Sequence, residues 1–323
     1  MDFNRIFKSK PVFALSPMAN VTNLPFRLVC RDFGADMSFT EMISSHAIAH
    51  ENAQTAKMAR VLAGESPCAI QIMGPDEKAV TSAIRELESL RESGQTYPDF
   101  YDINLGCPSK NIMRSKSGAY LLQNPDAIEK IVAAATKASA IPISCKARLG
   151  LSSDKIADVA RACENGGAGM LTIHARTASQ GYSGKAKWES VRKAVEICSI
   201  HVMCNGDIKT PADAQVALDK SGAGGVMIGR AAISNPGIFN ECKIAMGMAP
   251  TGIGAMDKSA VFGKYCDYSG KYGADSISYA RMFAIELTRG AKGGATTRRA
   301  MSKCGNSACL AKALASLEGQ KIE

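Results

Sequence analysis

Ile143-Ser144-Cys145-Lys146-Ala147-Arg148-Leu149-Gly150, a stretch of helical period over 155–165, and then Gly169-Met170-Leu171-Thr172-Ile173-His174-Ala175-Arg176 form the unit that decides the fold. A β-rich segment, a helix and a second β-rich segment predict a parallel pair with a crossover. The alternation continues in both directions. Further β-rich segments lie at 12–17, 35–41, 68–74, 100–106, 201–207 and 225–230, with helical periods at 77–91, 126–138 and 211–220. Asn124-Pro125 and Thr210-Pro211 supply helix starts. Eight strands alternating with helices predict an α/β fold, a closed (β/α)8 TIM barrel rather than an open sheet.

Such a barrel takes about 250 residues. The expected division of the 323 residues is therefore a catalytic barrel over 1–245 and a small helical domain over 246–323. In the second part, helices are expected at 257–272, 276–289 and 296–315. Hydrophobic residues make up 46% and charged residues 21%, which fits a globular chain with a large core. Apolar stretches such as 12–15 are far too short to span a bilayer. Residues 1–10 lack the apolar region of a signal peptide, so a cytoplasmic location is expected. None of the eleven cysteines forms a C-x-x-C pair, and no metal site is expected. Cys30, Cys68, Cys145, Cys163 and Cys198 lie in apolar runs where Cys acts as a small buried hydrophobe, and the odd count fits reduced thiols.

Barrel active sites occupy the C-terminal mouth, and here every predicted strand ends in polar groups. The ends read Ser16-Pro17-Met18, Thr40-Glu41, Gln71-Ile72-Met73-Gly74 and Asn104-Leu105-Gly106-Cys107-Pro108, followed by Lys146-Ala147-Arg148, His174-Ala175-Arg176, Asn205-Gly206-Asp207 and Gly229-Arg230. In many barrels the loops after strands seven and eight bind phosphate. Asn205-Gly206-Asp207 and Gly229-Arg230 have the parts for it: glycine for close backbone approach, arginine for charge. A flavin ring across the mouth would need hydrogen bonds at its pyrimidine edge and a cation near N1. Gln71 and Lys146 could supply these; alternatively Lys146 pairs with Glu41, and Gln71 satisfies a backbone group.

Cys107 differs from the other cysteines, because it follows Gly106, precedes Pro108 and opens a polar loop. A free thiol titrates near about 8.5, so at neutral pH it is mostly protonated and suits a proton donor. With His174 as a base it could instead act as a nucleophile. The net charge is +9, and residues 241–323 hold twelve basic against seven acidic residues. Arg281, Arg289, Arg298, Arg299 and Lys303 concentrate this excess. Such a segment either binds a polyanion through phosphate contacts or forms a solvated helical face.

Ser16-Pro17-Met18-Ala19-Asn20-Val21-Thr22-Asn23-Leu24-Pro25-Phe26-Arg27 resembles the opening segment of the tRNA-dihydrouridine synthase family. Asn104-Leu105-Gly106-Cys107-Pro108, with Gly118-Ala119-Tyr120-Leu121-Leu122 and Pro125, resembles its catalytic loop. Lys146-x-Arg148-x-Gly150, Ile173-His174-x-Arg176-Thr177, Gln180-x-Tyr182-x-Gly184-x-Ala186-x-Trp188 and Asn205-Gly206-Asp207 continue the match in order over roughly residues 11–240. Asn20 and Asn23 stand where the family commonly has Gly and Asp.

The resemblance implies FMN as cofactor, NADPH (or NADH) as reductant and a tRNA uridine as substrate. It implies that flavin N5 delivers hydride to uracil C6, with Cys107 as the acid that protonates C5. Ser16, Pro17, Met18, Gln71, Lys146, His174, Asn205, Gly206, Asp207, Gly229 and Arg230 would hold FMN. Asn104, Arg148 and Arg176 would lie near the uracil, and the basic residues of the tail would contact tRNA. Two other readings stand beside it. A flavin barrel acting on free pyrimidines would not need the basic tail, and a non-enzymatic RNA-binding protein would not need Cys107.

Overall fold

The computed structural model describes residues 2–8, 11–254 and 256–318; residues 1, 9, 10, 255 and 319–323 of the two expected domains lie outside the described residues. Nine parallel strand segments occupy eight positions. They are β1 (Val12–Leu15), β2 (Ser38–Phe39), β3 (Ile43–Ser44), β4 (Cys68–Met73), β5 (Phe100–Leu105), β6 (Ile143–Arg148), β7 (Met170–His174), β8 (His201–Asn205) and β9 (Gly225–Ile228). The order β1-β9-β8-β7-β6-β5-β4-β2 returns to its start through a parallel bridge between Ala14 and Met37, which closes the barrel. In place of the single strand expected over 35–41 there are two short pieces, β2 within that span and β3 just beyond it, which pair β4 on either side of a break. At the break the Gln71 N–H donates to Thr40 Oγ1 (3.1 Å), so a side chain interrupts the backbone ladder.

Side chains alternate between the two faces of each strand. The outward set, including Phe13, Ile70, Ile72, Tyr101, Ile103, Cys145 and Leu171, packs under the surrounding helices in one large core. The inward set divides along the axis. At the N-terminal end Val12, Ala14, Phe39, Ala69, Phe100, Met170, Met203 and Met227 form a separate apolar cluster, closed from below by Phe3 of the helix Phe3–Ile6. The Phe3 ring meets Phe100 edge-on at 5.1 Å. Farther along the same strands the inward residues are Gln71, Asp102, Asn104, Lys146, Thr172, His174 and Asn205. Apolar packing thus plugs one end of the barrel and leaves the other for polar chemistry.

The start signals act as expected. Asn124 caps Pro125–Ala138 by accepting from Ala127 N, and Thr210 with Asp213 forms a reciprocal capping box on Pro211–Ser221. Beyond the barrel, Lys258–Tyr272 and Ile277–Leu287 lie close to two of the expected tail helices. The single helix expected over 296–315 is instead two, Gly294–Met301 and Ser307–Glu318. Gly305 and Asn306 break it: Asn306 Oδ1 accepts from Cys309 N at 2.9 Å, and Cys304 and Cys309 form a disulfide across the turn. That bond corrects the expectation of eleven free thiols. Its five-residue spacing falls outside the C-x-x-C pattern. Cys30, Cys68, Cys145 and Cys163 are buried thiols, whereas Cys198 is half-exposed.

The tail packs on the barrel through the same large core, with Phe283 edge-on to Phe26 at 5.1 Å. Among the described residues, no helix is long and apolar enough to cross a membrane.

Candidate active site

The polar end of the barrel opens into a cavity of about 930 Å³ lined by residues from the strand ends and from the tail helix Ile277–Leu287. Ser16, Pro17, Met18, Gln71, Asn104, Cys107, Lys146, Arg148, His174, Asn205, Gly206, Asp207, Gly229 and Arg230 all line it, as does Arg289 just past that helix. Of the other expected residues, Arg176 does not line the cavity but bonds to His174 and Asp207, which do, and Arg281, Arg298, Arg299 and Lys303 are not among the lining residues.

The β1 end is shaped by the two asparagines of the opening segment. Asn20 adopts φ 60°, a left-handed conformation that glycine favours and Asn tolerates. Asn23 caps Leu24–Asp32 by accepting from Phe26 N, which is the work an Asp would do there. Asn20 N donates to Glu41 Oε1 (2.5 Å), and Tyr279 OH of the tail donates to the same carboxylate (2.9 Å). Glu41 thus ties the tail to the β1 loop and is not the partner of Lys146.

Lys146 is half-buried at the mouth and makes no ion pair among the described residues; its Nζ donates to Asn205 Oδ1 at 3.3 Å. Burial first, and Arg148 second, push its pKa down to about 8, against the pull of Asp102 and Cys107. A partly desolvated ammonium without a carboxylate at hydrogen-bond distance suits an anionic ligand. Asn205 is itself fixed by donating to Met227 O at 2.6 Å.

Burial and the cations Lys146, Arg148, Arg176 and Arg230 push His174 down to about 2, so its ring is neutral. Its Nε2 lies 3.3 Å from Arg176 Nη1, which can only donate, so the remaining proton sits on Nδ1. With its lone pair engaged and its basicity suppressed, His174 is a poor base for Cys107. That removes the support for the nucleophilic reading.

Arg176 and Arg148 act as struts for the loop 177–187. Arg176 donates to Ser183 O (3.1 Å), Gly184 O (2.7 Å) and Asp207 Oδ2 (2.5 Å). Arg148 donates to Gly106 O (2.9 Å), Thr177 O (3.0 Å) and Gly181 O (2.8 Å), linking the Cys107 loop to that neighbour. Asp207 accepts from Arg176 and Ala186 N, which hold it ionised despite its partial burial; its Oδ1 lies 3.8 Å from Arg230 Nη2. Trp188 Nε1 donates to Gly206 O at 2.8 Å. At Gly206 φ is +114°, and an added Cβ would fall 2.7 Å from His174, so only glycine fits. Tyr182 projects at the rim, with Arg230 4.8 Å and Arg148 5.7 Å from its ring centre.

On β5, inward alternation from Asn104 leads back to Asp102, a residue that motif reading missed. Gln71 Nε2 donates to Asp102 Oδ2 (2.7 Å), Ser144 Oγ donates to its Oδ1 (2.5 Å), and Asn104 Nδ2 donates to Gln71 Oε1 (2.9 Å). Asn104 Oδ1 accepts from the backbone N–H of Gly106 (3.1 Å) and Cys107 (3.0 Å). Period-two spacing was the only signal for Asp102. Met282 and Glu286, which line the cavity from the tail, carry no sequence signal.

The tail cations differ among themselves. Arg289 is exposed, pairs with Glu286 and reaches the cavity. Arg281 donates to Cys304 O (2.7 Å) and Arg298 to Thr288 Oγ1 (3.1 Å). Arg299 and Lys303 are exposed and make no side-chain hydrogen bond or ion pair among the described residues.

The family model described as dihydrouridine synthase matches residues 14–317, which takes in the tail helices. A probable tRNA-dihydrouridine synthase of Aquifex aeolicus is 37% identical over 232 residues, 71% of this chain and 72% of that one. The tRNA-dihydrouridine synthase B of Yersinia pestis is also 37% identical, over 233 residues, 70% of this chain and 69% of its own. Among solved structures, DHODH from Eimeria tenella in complex with ferulenol superposes with a TM-score of 0.52 at 15% identity, covering 72% of this chain and 80% of that one. The last is a likeness of fold alone.

Proposed function

The chain belongs to the dihydrouridine synthase family, and from that premise we propose that it reduces the C5–C6 double bond of specific uridines in tRNA, with FMN bound in the mouth and NADPH (or NADH) as reductant. The observation that carries this reading is Lys146, a half-buried cation that forms no ion pair among the described residues, in the same cavity as Cys107. The donor set fits FMN. Lys146 suits the ring edge where reduction places negative charge, and Gly206, Gly229 and Arg230 suit the phosphate. Ser16, Pro17, Met18, Gln71, His174, Asn205 and Asp207 complete its surroundings. When bound, FMN supplies the hydride for uracil C6.

The chain's own residues supply the rest. The Cys107 thiol gives its proton to C5. Asn104 holds the Cys107 backbone and keeps one N–H for the uracil. His174, neutral with its proton on Nδ1, is a hydrogen-bond donor to the ligand and takes no proton from Cys107. Arg148 and Arg176 shape the uracil side by fixing its loops rather than by free guanidinium contacts. A uridine of folded tRNA must leave its stack to enter the mouth, and phosphate contacts by tail cations would offset that cost. The site belongs to a protein acting on tRNA in the cytoplasm.

The test is direct. Purified protein should carry a flavin spectrum, and heat should release FMN in stoichiometric amount. Release of FAD, or no flavin binding after reconstitution, would sink the assignment.

A further inference from the structure

Asp102 sits in mid-β5, fully buried and outside the lining of the cavity. Resting on the reading of this site as a uridine reductase, we propose that Asp102 is a positioning residue: its carboxylate fixes which way Gln71 and Asn104 face, and so holds the backbone of Cys107. An ionised carboxylate only accepts hydrogen bonds. It therefore takes Ser144 Oγ–H on Oδ1 and the Gln71 amino group on Oδ2. That turns Gln71 Oε1 towards Asn104, whose Nδ2 must donate to it. Asn104 Oδ1 is then the end presented to the N–H groups of Gly106 and Cys107, which can only donate.

One polarity runs through the whole chain of groups. Reversing either carboxamide sets donor against donor or acceptor against acceptor. Cys107 N and Gly106 N impose the same polarity from the other end, so both ends of the network agree. The one full charge in it is Asp102, and hydrogen bonds to an ionised acceptor are the strong ones. Burial raises its carboxyl to about 6, against the pull of Gln71, Ser144 and Lys146, which leaves it ionised at neutral pH. After these bonds, Gln71 and Asn104 each retain one amide N–H, and both residues line the cavity. The buried carboxylate therefore sets the donor pattern offered to a ligand as well as the seat of the thiol.

The experiment uses the FMN-loaded full chain with Asp102→Asn, whose amide permits either polarity. Two rates are measured: alkylation of Cys107 by iodoacetamide, followed on its peptide by mass spectrometry, and reoxidation of the reduced flavin by tRNA. Alkylation is expected to quicken several-fold as the loop loosens, and reoxidation to slow by about tenfold, the scale of one lost charge-assisted bond. In an Asn104→Ala background the same substitution should add no further loss, because it acts through that residue. Parental values for both rates, or an equal loss in both backgrounds, overturn the proposal. Should Asp102→Asn fail to fold, Gln71→Met cuts the network one link later and is expected to quicken Cys107 alkylation; an unchanged rate there overturns it too. Alkylation requires no tRNA, so it decides the role of Asp102 even if tRNA fails to reoxidise the parental flavin, a failure that would count against the uridine reading alone.

Discussion

The barrel mouth and the tail both carry positive charge, yet they hold it in opposite ways. Around the mouth, Arg148 and Arg176 are buried and Lys146 half-buried, and all three are tied to named partners at fixed distances. In the tail, Arg299 and Lys303 stand in solvent without partners among the described residues. Buried charge is expensive and is retained for chemistry or architecture. Exposed charge is cheap and acts through the field and through phosphate contacts. The same residue types thus predict local, large effects in one region and distributed, small ones in the other.

The largest effect is expected at Cys107. Cys107→Ala should keep its flavin and its reduction by NADPH but lose dihydrouridine formation by about a hundredfold or more, the lower end of general acid catalysis. Product mapping in tRNA checks this, and near-normal formation would demote the thiol to a structural role.

Second is Lys146. Without ligand it titrates near 8, well below an ordinary lysine, so the ammonium is present below that pH and lost above it. Affinity of the flavin-free protein for FMN should therefore hold from pH 7 to 8 and fall as pH rises further, by at most about tenfold per unit. Lys146→Gln should bind FMN more weakly and lose that dependence. Titration of flavin fluorescence at several pH values checks both, and a flat profile in the parent would remove Lys146 from the cofactor.

His174 gives a smaller, global effect. Its folded pKa lies far below the unfolded value, so the unfolded chain binds more protons between about 2 and 6.5. Its contribution to stability is complete above about pH 6.5 and is lost as pH falls below that. The urea midpoint of the parent should drop from pH 7 to 5 more steeply than that of His174→Asn. Parallel curves would show that the ring is not held neutral.

The smallest effects belong to the tail. Arg299→Ala with Lys303→Ala should weaken tRNA binding and lower its log–log salt slope by about 0.7–0.9 per lost phosphate contact. Flavin content should not change. Arg298→Ala removes the bond to Thr288, so its loss tests tail packing as well as RNA contact. Unchanged affinity and slope in the first double variant would make this segment an ordinary solvated face.

How much of this was legible in the sequence follows from the range of the interactions. The barrel could be read because alternation and helix starts are local: Thr210-Pro211 announces its helix within four residues, and the capping box closes at Asp213. Cys107 could be picked from eleven cysteines because its polar, glycine-flanked neighbours differ from an apolar run. Long-range ties could not be read. Arg176 meets Asp207 across 31 positions, and Tyr279 meets Glu41 across 238. Asp102 looks like a polar interruption of a strand until the register sets it beside Gln71. The split at Thr40 was hidden because a side-chain oxygen replaces a ladder acceptor, which no periodicity reports. In the last expected helix, Gly305-Asn306 overrode the strong helix formers on either side.

If one cavity brings a flavin and the Cys107 thiol to a uridine of tRNA, reduced flavin must be consumed by tRNA itself. The most direct measurement reduces the bound flavin with NADPH in the absence of oxygen, then adds tRNA lacking dihydrouridine, or free uridine in a parallel sample. Rapid flavin reoxidation by tRNA with matching dihydrouridine formation, and little reoxidation by free uridine, is the expected result. Reoxidation by the free pyrimidine with none by tRNA would contradict it.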